Sequence, residues 1–321
     1  MHIFSSFEKN KGTALKRGEA VALLVFSFFL SVILTPLSVL AARRVGALDI
    51  PDGERKFHAR PTARLGGLAV FVSVLLLGLF LLPNGAMRGA LLSGGALLCV
   101  LGVSDDIFSL PPALKLFVEL VLALLPAAFS VYPRSFSFFF YTYTPPIWVG
   151  IFFSVLFTVT LANAYNLVDG MDMLASVEAL VAAAALSLYV REAWLLFGAV
   201  LGFLPYNRRA LGLAPVKRVP TRSFLGDTGA LFIGYALAVL SLSLDSFPLP
   251  AVLFFAVPIY ELGSSFFRRA VRGGNPFRAD RRHLHHRLAD RGCSPAFTVF
   301  LLSLYALLLA AFGVLFIEIF K

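Results

Sequence analysis

The sequence predicts an all-α, polytopic integral membrane protein of about ten transmembrane helices, and three observations carry that expectation. The first is composition. Of 321 residues, 59% are hydrophobic and only 14% charged, with a mean hydropathy of +0.84; a soluble domain is about one-quarter charged. The second is the length of the apolar runs. A crossing helix needs roughly 20 mostly apolar residues, and candidates lie at about 20–41, 67–83, 87–103, 113–132, 147–163, 173–190, 193–206, 228–246, 248–266 and 297–319. The third is the charge between the runs, where basic residues crowd into alternate loops.

Taken in order, residues 1–18 read as a polar tail. No cleavable leader is expected, because the apolar run that follows is long enough to span. The seventh run is short and ends in Pro205, so it is the least regular of the set. Ten crossings leave both termini on one side, and one membrane domain, 1–321, is the simplest count. The loops after the first, seventh and ninth runs carry six, five and eight Lys or Arg residues. That side holds 19 basic residues against 8 on the other, which puts it in the cytoplasm. Lys9, Lys11, Lys16 and Arg17 in the tail oppose this orientation. The net charge of +10 follows from orientation and anionic ligands, and nucleic acid is not expected as a partner. Cys99 lies in an apolar run and Cys293 in a polar loop, so neither a disulfide framework nor a cysteine metal site is indicated.

Every polar cluster falls in loops on the basic side. Asn163-Ala-Tyr-Asn-Leu-Val-Asp-Gly-Met-Asp172 packs two amides and two carboxylates between two apolar runs. Carboxylates beside hydrocarbon cost several kcal/mol unless water, a cation or a charged ligand satisfies them. Asn166 and Asp169 share a helix face, and Gly170 is expected to end that helix and free Asp172. Asn and Asp oxygens suit Mg²⁺, which takes one or two carboxylates plus substrate phosphates. Asp105 and Asp106 form a second acidic pair, suited to a metal or a shared proton, with helix capping as the plain alternative. Lys115, one turn into the next run, can neutralise a phosphate or reach to the interface. Phe224-Leu-Gly-Asp-Thr-Gly229 places Asp227 at a helix N-terminus, where amides favour anions. Asn275 to Leu288 holds Arg281, Arg282, His283, His285 and His286, a phosphate-binding set more than a zinc site, since it has no cysteine and no settled ligand spacing. Asp49 to Gly67 reads alone as a structured loop.

In this order and spacing the five stretches resemble the polyprenyl-phosphate N-acetylhexosamine-1-phosphate transferases, across nearly the whole chain from Asp49 to Leu288. The run His-Leu-His-His resembles the branch that transfers GlcNAc-1-phosphate, and the Pro-Leu-His-His-His of the MurNAc-pentapeptide branch is absent. The resemblance implies a bacterial cytoplasmic-membrane enzyme with its site in cytoplasmic loops. Such an enzyme moves a sugar-1-phosphate from a UDP-N-acetylhexosamine to a polyprenyl phosphate, releases UMP, requires Mg²⁺ or Mn²⁺, and starts a cell-envelope glycan.

Residue by residue, it implies that Asn166 and Asp227 ligate the metal. Phe224 stacks on uracil, Asp172 contacts uracil or ribose, and Asp169 belongs to the substrate site. Asp105 and Asp106 are placed near the lipid phosphate, one as its base, and with Asp227 they are the expected catalytic carboxylates. Lys115, Arg281, Arg282, His283, His285 and His286 meet phosphate or sugar. Dimers are common in the family, though no interface is marked in this sequence.

Met173 stands where the family has Gly, Ala230 where it has Ser, and Ala63 where it has Pro. Met173 leaves a MurNAc-pentapeptide or modified-sugar donor as an alternative. Outside this chemistry, a transporter or flippase is the rival class, disfavoured because the acids lie on one face and no repeat is visible. A CDP-alcohol phosphotransferase lacks its longer acidic run here.

Overall fold

The computed structural model describes residues 2–50, 61–208, 222–244, 246–271 and 283–320. Helices dominate. In chain order they are α1 (His2–Val45), α2 (Gly66–Leu81), α3 (Ala86–Phe108), α4 (Pro112–Leu122), α5 (Leu125–Ala128), α6 (Ile147–Val168), α7 (Leu174–Leu186), α8 (Ala193–Phe203), α9 (Gly226–Leu242), α10 (Ala256–Val271), α11 (Leu284–Asp290) and α12 (Pro295–Ile319). A 3₁₀ turn, Leu204–Tyr206, extends α8, and a 3₁₀ segment, Leu249–Phe255, leads into α10. Five helical stretches are long and apolar enough to cross a membrane: Gly18–Val45, Ala86–Phe108, Ile147–Val168, Leu249–Val271 and Pro295–Ile319. Gly66–Leu81, Leu174–Leu186, Ala193–Tyr206 and Gly226–Leu242 are apolar but shorter. At 1.5 Å per residue, 17 residues rise about 25 Å, slightly less than the hydrocarbon core.

Three expectations need correction. The fourth apolar run is not one helix. α4 stops at Leu122 and α5 resumes at Leu125, because Pro126 has no N–H for the carbonyl a turn back and its ring crowds that carbonyl. The chain is not wholly α. Short strands β1 (Leu48–Asp49) and β2 (Thr62–Ala63) pair antiparallel. β3 (Ser135–Phe138) pairs antiparallel with β4 (Tyr141–Tyr143) and parallel with β5 (Ser246–Pro248). Finally, α3 and α6 run past their apolar stretches, so Asp105, Asp106, Asn163 and Asn166 are on helix ends and not in loops. The reason lies in the partners these polar groups find on other helices.

The core is built around α9. Every residue of that helix except Asp227 is buried. The helices α2, α3 and α6 pack against it. Close approach at its N-terminal end depends on glycine. A Cβ on Gly102 of α3 would stand 2.5 Å from the Cα of Thr228, and one on Gly67 of α2 would collide with Gly229. Phe71 of α2 meets Phe232 of α9 edge to face, with ring centroids 5.2 Å apart. The loop before α9 is stitched to β2 and α2: Phe224 N–H donates to the Ala63 carbonyl (2.8 Å), Gly66 N–H to Phe224 (3.1 Å) and Gly67 N–H to Leu225 (2.9 Å). The N-terminus of α9 is thus fixed against the ends of α2, α3 and α6.

Candidate active site

The first turn of α9 starts at Gly226, whose φ of +71° suits glycine and brings the chain hard against the Arg64 carbonyl. Helix starts leave N–H groups without partners. Here two carboxylates, Asp106 at the end of α3 and Asp169 just after α6, take three of them. Gly226 N–H donates to Asp169 Oδ2 (3.1 Å). Asp227 N–H donates to Asp106 Oδ1 (3.1 Å) and Thr228 N–H to Asp106 Oδ2 (3.0 Å). Thr228 Oγ1 adds a third bond to Asp106, at 2.7 Å. The α9 N-terminus therefore holds this chain's own carboxylates. Asp106 is only 7% exposed.

Asp105, its neighbour on α3, faces elsewhere. Its Oδ1 accepts Leu110 N–H (2.7 Å), which folds the α3–α4 connection, and its Oδ2 lies 3.0 Å from Lys115 Nζ. That ammonium also bonds Asp227 Oδ2 and lies 3.5 Å from Asn166 Oδ1. A single cationic group of α4 thus gathers oxygens from α3, α6 and α9. Partial burial and the carboxylates of Asp227 and Asp106 push the Asp169 carboxyl well above the usual range, against the pull of the Gly226 N–H.

The donor chemistry suits a hard cation. Asp105, Asp227 and Asn166 offer only oxygen, and they already surround one positive charge, that of Lys115. Among the described residues no group of three or more His, Cys, Asp or Glu converges to hold a metal. The Asp227 carboxylate, with the Asn166 amide oxygen beside it, fits Mg²⁺, which takes one or two carboxylates while substrate phosphates complete its shell.

Two buried residues without a sequence motif support this cluster. Glu119, one turn beyond Lys115 on α4, is 2% exposed and accepts from Asn163 Nδ2, three residues before Asn166 on α6. Asn207, also 2% exposed, accepts Met173 N–H (2.8 Å) and Ser176 Oγ–H (3.2 Å), and donates to the Ser223 carbonyl (3.2 Å). Met173 needs that anchor, because its φ of +69° lies in the left-handed region that disfavours side chains by about 1–2 kcal/mol. The glycine of the resembling family would adopt it freely.

Asp172 and Phe224 are joined by another residue without a motif. Arg222 Nη2 donates to Asp172 Oδ2 (2.7 Å), and its guanidinium carbon lies 5.8 Å from the centre of the Phe224 ring. The described part of the histidine stretch meets α10. His283 Nδ1 lies 3.0 Å from Ser265 Oγ and 3.7 Å from Glu261 Oε2, and Leu284 N–H donates to Glu261 Oε1 (2.6 Å). His283, 7% exposed, thus packs against α10 at the start of α11. His285 and His286 lie within α11, and Arg281 and Arg282 lie outside the described residues.

Comparison with known proteins covers the segment that carries this cluster. Residues 89–245, which contain Asp105, Lys115, Asn166, Asp169, Asp172 and Asp227, match glycosyl transferase family 4. A probable undecaprenyl-phosphate N-acetylglucosaminyl 1-phosphate transferase of Bacillus subtilis (strain 168) is 31% identical over 305 residues, covering 88% of this chain and 81% of the relative. An undecaprenyl-phosphate alpha-N-acetylglucosaminyl 1-phosphate transferase of Thermotoga maritima is 33% identical over 269 residues, 82% of this chain and 78% of the relative. The Escherichia coli (strain K12) protein of that name is 26% identical over 292 residues, 85% and 77%. With the carboxylate and lysine cluster assembled within the matched segment, the chain belongs to glycosyl transferase family 4, in the branch whose named members are undecaprenyl-phosphate N-acetylglucosaminyl 1-phosphate transferases.

Proposed function

We propose that this protein transfers GlcNAc-1-phosphate from UDP-GlcNAc to undecaprenyl phosphate, releasing UMP, at the cytoplasmic face of a bacterial inner membrane. The observation that carries the reading is the meeting of Asp105, Asp227 and Asn166 on Lys115, at helix ends, in a chain of this family. Both substrates are anionic, so bringing two phosphates together requires concentrated positive charge. Asp227 and Asn166 would hold a divalent cation, Mg²⁺ or Mn²⁺, which supplies charge neutralisation at the donor diphosphate. Lys115, no longer needed by Asp227, then turns to a phosphate. Asp105 keeps the lysine in reach. A lipid phosphate with a second pKa near 6 is already largely ionised, so no base is required. Its oxygen forms the new bond to the sugar-bearing phosphorus, the bond from that phosphorus to the bridging oxygen breaks, and UMP leaves with that oxygen.

Ten crossings are supported by where the chain turns. α3, α6 and α9 each have one end at the cluster. β3 pairs with β5, which follows the far end of α9, so α4 and α5 lead from the cluster to the opposite end. α7 leaves from Met173, and α8 returns to Asn207, its hydrogen-bond partner. On this reading the short helices traverse the same thickness as the long ones.

The test is turnover in detergent with undecaprenyl phosphate, Mg²⁺ and UDP-GlcNAc, following UMP. UMP release that stops with EDTA and falls about a hundredfold or more in Asp227→Asn is expected. Release from UDP-MurNAc-pentapeptide alone would change the donor, and no release with any donor from folded protein would overturn the reading.

A further inference from the structure

The family resemblance implies a pair of groups for the nucleoside of the proposed donor: the ring of Phe224 and the carboxylate of Asp172. Arg222 engages both at once, donating to Asp172 Oδ2 at 2.7 Å and standing 5.8 Å above the Phe224 ring centre. This side chain is about one-third exposed, while Asp172 is more deeply set. Its backbone position is fixed. Ser223 N–H donates to the Tyr206 carbonyl (3.1 Å), Ser223 Oγ–H to the Ala63 carbonyl (3.0 Å), and Asn207 to the Ser223 carbonyl (3.2 Å). The main chain beside Arg222 is held, and the long guanidinium arm is the part free to exchange partners.

Resting on the donor reading above, we propose that Arg222 is a selectivity latch that covers the nucleoside subsite until a diphosphate donor displaces it. A uracil ring stacking on this face of Phe224 must take the place of the guanidinium. A ribose or base contact to Asp172 must break the Arg222–Asp172 pair. A nucleoside alone makes these exchanges and leaves the arginine without a partner. A nucleoside diphosphate sugar brings two phosphates to which the released guanidinium can turn, forming charge-assisted bonds. The latch therefore raises the preference for an intact diphosphate donor over the bare nucleoside.

The experiment compares the KM for UDP-GlcNAc with the inhibition constant of uridine, in full-length protein in detergent, for wild type, Arg222→Gln, Arg222→Lys and Phe224→Ala. In Arg222→Gln the two move in opposite directions. Uridine inhibits about three- to tenfold better, the scale of one exposed cation–π contact plus one half-exposed ion pair. The KM for UDP-GlcNAc rises by at least about as much. Arg222→Lys recovers part of the KM and not the uridine effect. General damage would worsen both constants together, and that outcome, or an unchanged uridine constant, overturns the latch. If Phe224→Ala leaves uridine inhibition intact, the nucleoside subsite itself is misplaced and the latch falls with it.

Discussion

At the residue scale, two adjacent carboxylates of one helix have different work. Asp106 accepts three hydrogen bonds from the start of α9, while Asp105 faces Lys115. An amide in place of Asp106 turns an N–H₂ toward backbone N–H donors, and a buried unsatisfied donor costs about 1–3 kcal/mol. Asp106→Asn is therefore expected to lower the unfolding midpoint. Asp105→Asn keeps an acceptor for Leu110 N–H, shifts stability by less than about 1 kcal/mol, and instead lowers kcat. Thermal unfolding and turnover measured on the same preparations separate the two, and equal stability losses would refute the division. Asp169 adds a pH effect. Its folded-state carboxyl is raised above the unfolded value of about 3.9. Between those two values the folded protein binds more protons than the unfolded one, so stability falls as pH rises through the window and levels off above it. Asp169→Asn keeps an acceptor for Gly226 N–H and removes this contribution. The unfolding midpoint in EDTA should lose part of its fall with pH in the variant, and parallel curves would acquit Asp169.

At the scale of elements, α4 and α6 meet through two matched polar pairs. Lys115 pairs with Asn166, and Glu119, four residues later, pairs with Asn163, three residues earlier. The antiparallel ladder sets how far Lys115 projects toward α3 and α9. Among the described residues Glu119 Oε1 has no hydrogen-bond partner, so its burial is a cost to stability. Glu119→Leu relieves that cost, and Asn163 keeps its bond to the Val159 carbonyl (3.0 Å). The variant is expected to unfold at an unchanged or higher temperature yet turn over about tenfold more slowly, because Lys115 loses its register. Glu119→Gln should retain most of the rate. A variant that loses stability and activity in parallel would reduce Glu119 to a packing residue. The ladder also shows what could be read from the sequence. All ten apolar runs contain helix, and the acidic motifs pointed to one end of the bundle. Helix ends were harder, since hydropathy stops at the first charge while Asp106 finds its partners more than a hundred residues away on α9. Glu119, Asn207 and Arg222 are single polar residues whose meaning depends on those distant partners. Strands of two to four residues are too short to show alternation.

At the scale of the whole molecule, the broken fourth segment is where the proposed topology can be tested. α4 rises only about 17 Å and α5 a further 6 Å, so neither spans the hydrocarbon by itself. Their combined path still has to join Lys115 at the cluster to β3 at the opposite end, beside Phe136, whose ring meets Phe153 and Phe247 at centroid distances of 5.0 and 6.4 Å. A break is tolerable inside protein, where neighbouring helices satisfy the freed backbone, and costly facing lipid. Ser109, just before α4, and Thr142, in β4, are both exposed and lie on either side of this path. With Cys293 replaced by serine and Cys99 left buried, single cysteines at Ser109 and Thr142 report the crossing directly. A membrane-impermeant maleimide applied to intact cells is expected to label Thr142→Cys and spare Ser109→Cys, and inverted vesicles should reverse the pattern. Labelling of both positions from one side would mean that α4 and α5 form a re-entrant pair. The ten crossings proposed above would then fall to nine, and the termini would part to opposite faces.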